Sequence, residues 1–261
     1  MSRRNSGYFV SHPVNVIYLI DDVAGVSLMK DPDAFQIRMH LKNCTRTELY
    51  ANHSIPVFSE DDEAREFLRA IFDSIFKDSD LSHLKSHFHL VEAKIGANHI
   101  KSIFADKALP LSQIAFAVLD GDKGADLSKN LLSLPGGAAP EKVLVNYATS
   151  IIEDQGGFWD TSVARTNGFT RAYFVDRVKN KWDSVEQKIE EARSKLETTT
   201  GIRREHAKKI WSEFREFLLA LLSYWVEDER NVDCINQFKM DLRTMYKKTA
   251  LNNGLNPNDW R

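Results

Sequence analysis

Acidic residues follow two apolar segments of the chain in a pattern that could hold divalent metal ions. Glu60 ends the predicted strand at 55–58, and Asp120 and Asp122 come directly after the continuous apolar run at 114–119. Carboxylate oxygens are the ligands that Mg²⁺ and Mn²⁺ prefer. Functional groups gather beyond the carboxyl ends of the strands in an open parallel sheet. The sequence therefore predicts that these three carboxylates converge on a metal site.

The segments around these acids alternate between strand and helix patterns. Apolar residues recur at helical spacing from Ala64 to Phe76, directly after Glu60, which predicts an amphipathic helix. The run at 114–119 is continuously apolar, as expected of a strand covered on both faces. The alternation predicts an α/β fold with a largely parallel sheet and helices on both faces. The predicted strands are at 55–58, 88–95, 114–119 and 131–134, and the predicted helices are at 64–76, 97–104 and 140–152.

Two further regions flank this alternating segment, so we expect three parts: residues 1–53, 54–152 and 153–261. The first is predicted to be a small β-rich lead-in and a candidate interface segment, with strands at 14–20 and 35–41. The last, called the helical tail below, is predicted to be almost wholly helical. Its expected helices are at 169–182, 185–196, 203–226 and 232–250.

Composition and charge narrow the class of protein. The chain has 261 residues, 43% hydrophobic and 28% charged, which excludes collagen-like and wholly disordered proteins. The formal charge of −2 means that any surface for nucleic acid has to be a local patch. Two cysteines are too few for a disulfide framework or a thiolate metal cage. The apolar run at 14–20 is too short and too polar for a signal or membrane-spanning segment, so we expect a cytoplasmic protein without a membrane partner.

The arrangement strand–Glu60–helix, followed by strand–Asp120-Gly121-Asp122, resembles a TOPRIM domain, the metal-binding fold of topoisomerases and primases. More specifically, it resembles the nuclease half of the overcoming-lysogenization-defect (OLD-type) endonucleases. Those proteins follow the aspartate pair with a segment like Leu134-Pro135-Gly136 and with a Pro-Glu helix start, here Pro140-Glu141. The resemblance covers residues 54–152 well and the helical tail loosely, and it does not extend to residues 1–53.

This resemblance implies a nuclease that hydrolyses phosphodiester bonds of DNA or RNA with two Mg²⁺ or Mn²⁺ ions. Glu60, Asp120 and Asp122 would be its metal ligands. The family has Glu-Gly at the first strand end and a second acid four positions on, whereas this chain has Asp61 and Ala64 there. The missing ligand would then come from one of the neighbouring acids, Asp61, Asp62 or Glu63. Each of these acids is equally well explained as a complement to the positive end of a helix dipole.

Two more site residues are candidates. Glu141, in the first turn of its predicted helix, could reach the metal ions or only complement the helix dipole. The resemblance also implies that a lysine of the helical tail stabilises charge at the phosphate. Lys209 and its neighbour Lys208 are the candidates for that role, and the alternative is an ordinary solvated helix face.

The expected partners follow from what the chain lacks. OLD-type nuclease domains usually follow an ATPase domain, but this chain has no Gly-x-x-x-x-Gly-Lys-Ser/Thr loop to hold nucleotide phosphates. The resemblance therefore implies either a nuclease that works without ATP or one with a separate ATPase subunit. A homo-oligomer and a setting of antiviral defence are also expected. Aromatic residues of the helical tail could close such an interface or pack within the tail; they are Phe214, Phe217, Tyr224 and Trp225. The alternative is a non-catalytic TOPRIM-like interaction module in a nucleic-acid-handling complex, which the Ala64 departure favours.

Overall fold

The computed structural model describes residues 53–106, 111–202 and 206–260, together with the backbone of three N-terminal strands. The chain divides into two compact units, residues 1–53 and 54–261. In the first unit, three strands pair antiparallel in the order β1-β2-β3. The predicted strand at 14–20 corresponds to β2, whereas the one predicted at 35–41 lies outside the described residues. The strands are β1 (Phe9–His12), β2 (Asn15–Asp22) and β3 (Gly25–Met29).

The second unit is built on a four-stranded, wholly parallel sheet with the strand order β5-β4-β6-β7. The prediction of an α/β fold with a parallel sheet is therefore confirmed. The strands are β4 (Ile55–Ser59), β5 (Phe88–Leu90), β6 (Phe116–Leu119) and β7 (Leu131–Ser133).

Three of these strands are shorter than the sequence predicted, and β7 differs only in ending at Ser133 rather than at residue 134. Strand β5 ends at Leu90 rather than at residue 95, because the following backbone carbonyls bond to a side chain instead. The Arg65 guanidinium donates hydrogen bonds to the carbonyls of Val91 and Ala93 at 3.0 and 3.3 Å. Strand β6 begins at Phe116, because residues 111–114 form a helical turn before it.

Helices cover both faces of the sheet, and β6 shows how. Ala117 and Leu119 of β6 pack with Ile100 and Phe104 on one face, whereas the alternate residues belong to the larger core on the other face. A strand buried on both faces accounts for its continuous apolar run. The helices of this part are α1 (Asp62–Ile75), α2 (Ala97–Ala105), α3 (Leu111–Ile114) and α4 (Pro140–Ser150).

The helical tail differs from its prediction in two places. One helical stretch runs without a break from Arg171 to Ser194 through a π-helical segment at Phe174–Lys179, where the sequence predicted two helices. The helix predicted at 203–226 is divided at Phe214. The tail helices are α5 (Ser162–Asn167), α6 (Arg171–Tyr173), α7 (Asn180–Ser194), α8 (Thr200–Ile202), α9 (Lys208–Glu213), α10 (Arg215–Glu227) and α11 (Val232–Thr249).

One hydrophobic core joins the helical tail to the sheet, across the boundary that the sequence suggested at residue 153. Trp225 of α10 packs on Phe67 of α1 with ring centroids 5.3 Å apart. Phe214 and Phe217 are also buried in this core, so these aromatic residues pack within the chain. Among the described residues, no helix is both long and apolar enough to cross a membrane.

Candidate active site at the carboxyl edge of the sheet

The strand order puts a switch point between β4 and β6. After β4 the chain forms β5 on one side of β4, and it later forms β6 on the other side of β4. In open α/β sheets, ligands bind in the crevice outside the carboxyl ends of the strands at such a point. Glu60 follows β4 and Asp120 follows β6, so the two predicted residues flank this crevice.

Glu60 and Asp120 are in direct contact. The backbone N–H of Asp120 donates a hydrogen bond of 2.9 Å to Glu60 Oε1. The hydroxyl of Ser133, at the end of β7, donates to the carbonyls of Asp120 and Gly121 at 3.2 Å each. Three neighbouring strand ends therefore hold the start of the Asp-Gly-Asp turn in place.

Asp122 lies two residues further on, in a 3₁₀ turn at Gly121–Lys123. Lys123 Nζ lies 3.2 Å from its carboxylate, and the charge of Asp122 also acts on Asp120. The third predicted ligand is therefore close enough to influence Asp120, although a lysine is paired with it.

The glycine between the two aspartates is required by close packing. A Cβ atom at Gly121 would lie 2.6 Å from the backbone nitrogen and 2.7 Å from the carbonyl oxygen of Ala138. The Gly121 N–H donates instead to that carbonyl at 3.1 Å. This contact brings the segment that opens α4, and with it Glu141, next to the end of β6.

Two acids at the start of α1, Asp61 and Glu63, are also part of the site. Asp61 is the N-cap of α1, where its Oδ1 accepts a hydrogen bond of 3.0 Å from the Ala64 N–H. Burial and the neighbouring Asp61 raise the pKa of Glu63 above its usual value. Asp62 differs, because its hydrogen bond with Lys94 and the nearby Arg65 lower its pKa. Below, the acidic cluster means Glu60, Asp61, Glu63, Asp120, Asp122 and Glu141.

Burial, together with the neighbouring acids, raises the pKa of two members of the acidic cluster. Burial raises the pKa of Asp120 to about 8, and the charges of its acidic neighbours, Glu60 first, add to the effect. Burial likewise raises the pKa of Glu141 to about 7, with contributions from Asp61 and Glu63. Asp120 Oδ1 is buried and has no hydrogen-bond partner among the residues that the structure describes. A carboxylate in this state needs a proton or a cation near it.

Lys208, the first residue of α9, supplies one positive charge to the acidic cluster. Its ammonium group contacts Asp61 Oδ2 and lies 3.9 Å from Glu63 Oε2. Burial opposes the charge on Lys208, but the contact with Asp61 and the other nearby acids outweigh it and raise its pKa. Lys209, which the sequence favoured, is exposed. Successive helical residues point about 100° apart, so only one of the two can face the acids.

The donor set suits a hard divalent cation, but the side chains do not yet surround one. In the described part of the chain, no three His, Cys, Asp or Glu side chains are arranged so that they could hold a metal ion. The acidic cluster nonetheless offers only carboxylate oxygens, which are ligands of Mg²⁺ and Mn²⁺, and Asp120 Oδ1 lacks a partner. The residues therefore fit such an ion by their chemistry, and side-chain rotation would have to complete its ligand set.

The site is thus defined by its place at the switch point, by its crowded acidic side chains and by Lys208 beside them. Comparisons of the chain with protein-family models, with curated proteins and with solved structures found no match.

Proposed function

We propose that this chain is a Mg²⁺- or Mn²⁺-dependent endonuclease with a TOPRIM-like fold that hydrolyses phosphodiester bonds of DNA or RNA. The observation that carries the proposal is the Asp120 carboxyl, whose buried Oδ1 has no partner among the described residues and which lies among other acids at the switch point. Strongly perturbed acids in such a crevice are typical of catalytic and metal sites.

The acidic cluster would hold the metal ions. Glu60, Asp120 and Asp122 are the ligands that we propose, with Glu63 and Glu141 as the acids available to replace the one missing at Ala64. Two divalent ions bound there would supply an activated water and a stabilised leaving oxygen. With a pKa of about 7, Glu141 can hold or release a proton at its carboxyl near neutral pH.

Lys208 is the residue that we propose for the phosphate. Its side chain is 42% exposed and its ammonium group lies beside Asp61 and Glu63, so the lysine contacts both solvent and the acidic cluster. A lysine in this position can donate charge-assisted hydrogen bonds to phosphate oxygens. It also offsets the repulsion that a polyanionic substrate meets at the acids. Lys209, on the exposed face, would at most contribute charge to the surroundings.

A cleavage assay tests this function. Supercoiled plasmid, single-stranded DNA and RNA are incubated separately with the protein and Mg²⁺, Mn²⁺ or a chelator. We expect cleavage that depends on the metal and is lost in Asp120→Asn. Asp126→Asn is the matched control, because Asp126 is a half-exposed acid of the following loop that pairs with Lys129; it should cleave like the wild type. Cleavage by Asp120→Asn at the wild-type rate would contradict the proposal.

A non-catalytic TOPRIM-like interaction module is the second candidate. It is favoured by the lack of an arranged metal-ligand set among the described residues and by the pairing of Lys208 with Asp61. On this alternative, the lysine permanently neutralises acids that no longer bind metal. A protein that binds nucleic acid or a protein partner, but neither cleaves nor binds Mn²⁺, would establish the module in place of the nuclease.

A separate ATPase subunit or a homo-oligomer in the cytoplasm, with a role in antiviral defence, is also part of the proposal. It is supported by the resemblance to OLD-type nucleases and by the missing phosphate-binding loop. The aromatic residues of the tail do not add to it, because three of the four are buried within this chain. Light scattering and co-purification from the native host, with cleavage measured with and without ATP, test it. A monomer that recovers no partner and cleaves fully without ATP would contradict it.

A further inference from the structure

A line of contacts joins α1 to the start of the α9–α10 segment. Lys208 meets Asp61 and Glu63 at the first turn of α1, and Trp211 and Arg215 both meet Glu66, one turn further along. Lys208 and Trp211 are spaced i and i+3, so they share one face of α9, and Arg215 is the first residue of α10 after the break at Phe214. The two helices therefore contact each other in register through side chains next to the acidic cluster.

Glu66 uses both of its carboxylate oxygens in this contact. Oε2 accepts a hydrogen bond of 3.0 Å from the indole nitrogen of Trp211, and Oε1 accepts one of 2.8 Å from Arg215 Nε and another from Arg215 Nη2. Trp211 is 3% exposed, so its N–H needs a partner inside the protein. Hydrogen bonds to an ionised carboxylate are among the stronger ones in proteins.

The segment that Glu66 holds has little rigidity of its own. Helix α9 has six residues and ends at the break at Phe214. A helix of this length is marginal without tertiary contacts, so its position depends on what it packs against. Glu66 fixes its last turn through Trp211 and the start of α10 through Arg215, while Lys208 stands at its first residue.

We propose that Glu66 is a positioning residue that holds the Lys208 ammonium group at the acidic cluster. It acts through the clamp on Trp211 and Arg215 and touches neither the acids nor a substrate. The positioning itself is independent of catalysis, whereas its effect on cleavage rests on the proposed function of Lys208.

The positioning is tested by the rate at which an amine-acylating reagent modifies Lys208, followed by peptide mass spectrometry. Removing the charge of the clamp in Glu66→Gln should raise that rate by about tenfold, since the lysine leaves its acidic partners more often. Lys209, in the same peptide, is the internal control and should keep its rate. Asp73→Asn is the matched variant, because Asp73 lies on α1 like Glu66 but pairs with Lys85 and does not touch α9. It should change the acylation rate of neither Lys208 nor Lys209.

A second variant keeps the test decisive if Glu66→Gln unfolds. Trp211→Phe removes only the indole N–H donor and keeps an aromatic ring, so it should raise Lys208 acylation in the same direction by a smaller factor. An unchanged Lys208 rate in a folded variant would overturn the proposal. An equal rise at Lys208 and Lys209 would also overturn it, because it would show general loosening of the helical tail.

A double-mutant cycle separates this inference from the proposed function. Glu66→Gln should slow cleavage by about tenfold in the wild-type background, within the range known for residues that orient active-site groups. It should have no further effect in Lys208→Ala, because it acts through that lysine. An equal loss in both backgrounds would make Glu66 merely structural. Absence of cleavage in every variant would overturn the nuclease proposal and leave the acylation result standing.

Discussion

The pKa values of two partly buried aspartates, Asp120 and Asp228, are shifted in opposite directions. Asp228 accepts hydrogen bonds from the Tyr147 hydroxyl and from the Arg230 guanidinium, which also pairs with Asp154 at 2.9 Å. Burial alone would raise its pKa, but Arg230 and Tyr147 outweigh burial and lower the pKa to about 2. At Asp120 burial and neighbouring acids act together, and the pKa rises to about 8.

The difference separates an acid whose charge is compensated by neighbouring groups from one that lies among other acids without such compensation. Helix α4 links the two regions, since it carries Glu141 in its first turn and Tyr147 further on. Around Asp228 the chain supplies the compensating hydroxyl and cation, so the group is satisfied from within. Around Asp120 it supplies more acids and leaves Oδ1 unpartnered. An uncompensated buried charge costs stability, and proteins retain such sites chiefly where function requires them.

The largest expected effect is on cleavage. Asp120→Asn should reduce metal-dependent cleavage by at least about 10²–10³-fold, the scale of losing one group that stabilises a transition state directly. Asp228→Asn should keep a rate close to that of the wild type under conditions where it is folded, because its partners are structural. The measurement is the initial rate on the best substrate. Equal losses in both variants would remove the distinction between the two acids.

The second expected effect is on the free energy of unfolding, and here Asp228→Asn should be the more damaging of the two substitutions. Asp228→Asn should lower the free energy of unfolding by about 2 kcal/mol, since it weakens charge-assisted hydrogen bonds of a buried group. Asp120→Asn should leave the free energy of unfolding unchanged or raise it, because it removes a charge from a crowded cluster. Urea unfolding near about pH 8 measures both values. A marked destabilisation by Asp120→Asn would make that acid part of the structural framework.

The same contrast predicts two limbs in the dependence of stability on pH. Folded Asp120 keeps a proton that the unfolded chain loses above its ordinary pKa of 3.8, so stability falls as pH rises toward about 8. Folded Asp228 has the lower pKa, so the stability that it contributes is present above its ordinary value and is lost as pH falls toward about 2. Asp120→Asn should flatten the first limb and Asp228→Asn the second, measured by unfolding across the pH range. The reverse result, in which Asp120→Asn flattens the acid limb and Asp228→Asn the limb near neutral pH, would contradict these pKa shifts.

A smaller effect is expected from metal on thermal stability. At ten times its dissociation constant, a bound divalent ion should add about 1.4 kcal/mol, or about 4 °C in Tm for a chain of this size. The shift should be present in the wild type and in Asp228→Asn at alkaline pH, and absent from Asp120→Asn. It should shrink at lower pH, because the acids must lose their protons before they bind metal. A shift of equal size in all three proteins would indicate binding elsewhere.

The parallel sheet and the nearness of Glu60 to Asp120 could be predicted from the sequence because they depend on local patterns. A strand that is apolar throughout and is followed by an acid identifies both a covered strand and the acid at its carboxyl end, as at Asp120. Glu60 followed from the same logic. The switch point could not be predicted from the sequence, because strand order depends on long-range packing and has no signature in the sequence of any single strand.

The remaining site residues depend on distances between elements. Whether Lys208 or Lys209 faces the acids depends on the helical phase of α9, which its packing on α1 through Trp211 determines. The nearness of Glu141 depends on the approach of Gly121 to Ala138, for which the only sequence signal was the glycine itself. The sequence therefore offered these residues as alternatives, and the contacts between elements distinguished them.

Mn²⁺ binding, followed by electron paramagnetic resonance at about pH 8.5, where the Asp120 carboxyl is largely ionised, tests the central claim most directly. The wild type and Asp228→Asn should bind Mn²⁺ with the same affinity, and Asp120→Asn should bind it at least about tenfold more weakly. Equal binding by all three proteins, or no binding by the wild type, would contradict the claim that the acidic cluster is a metal site.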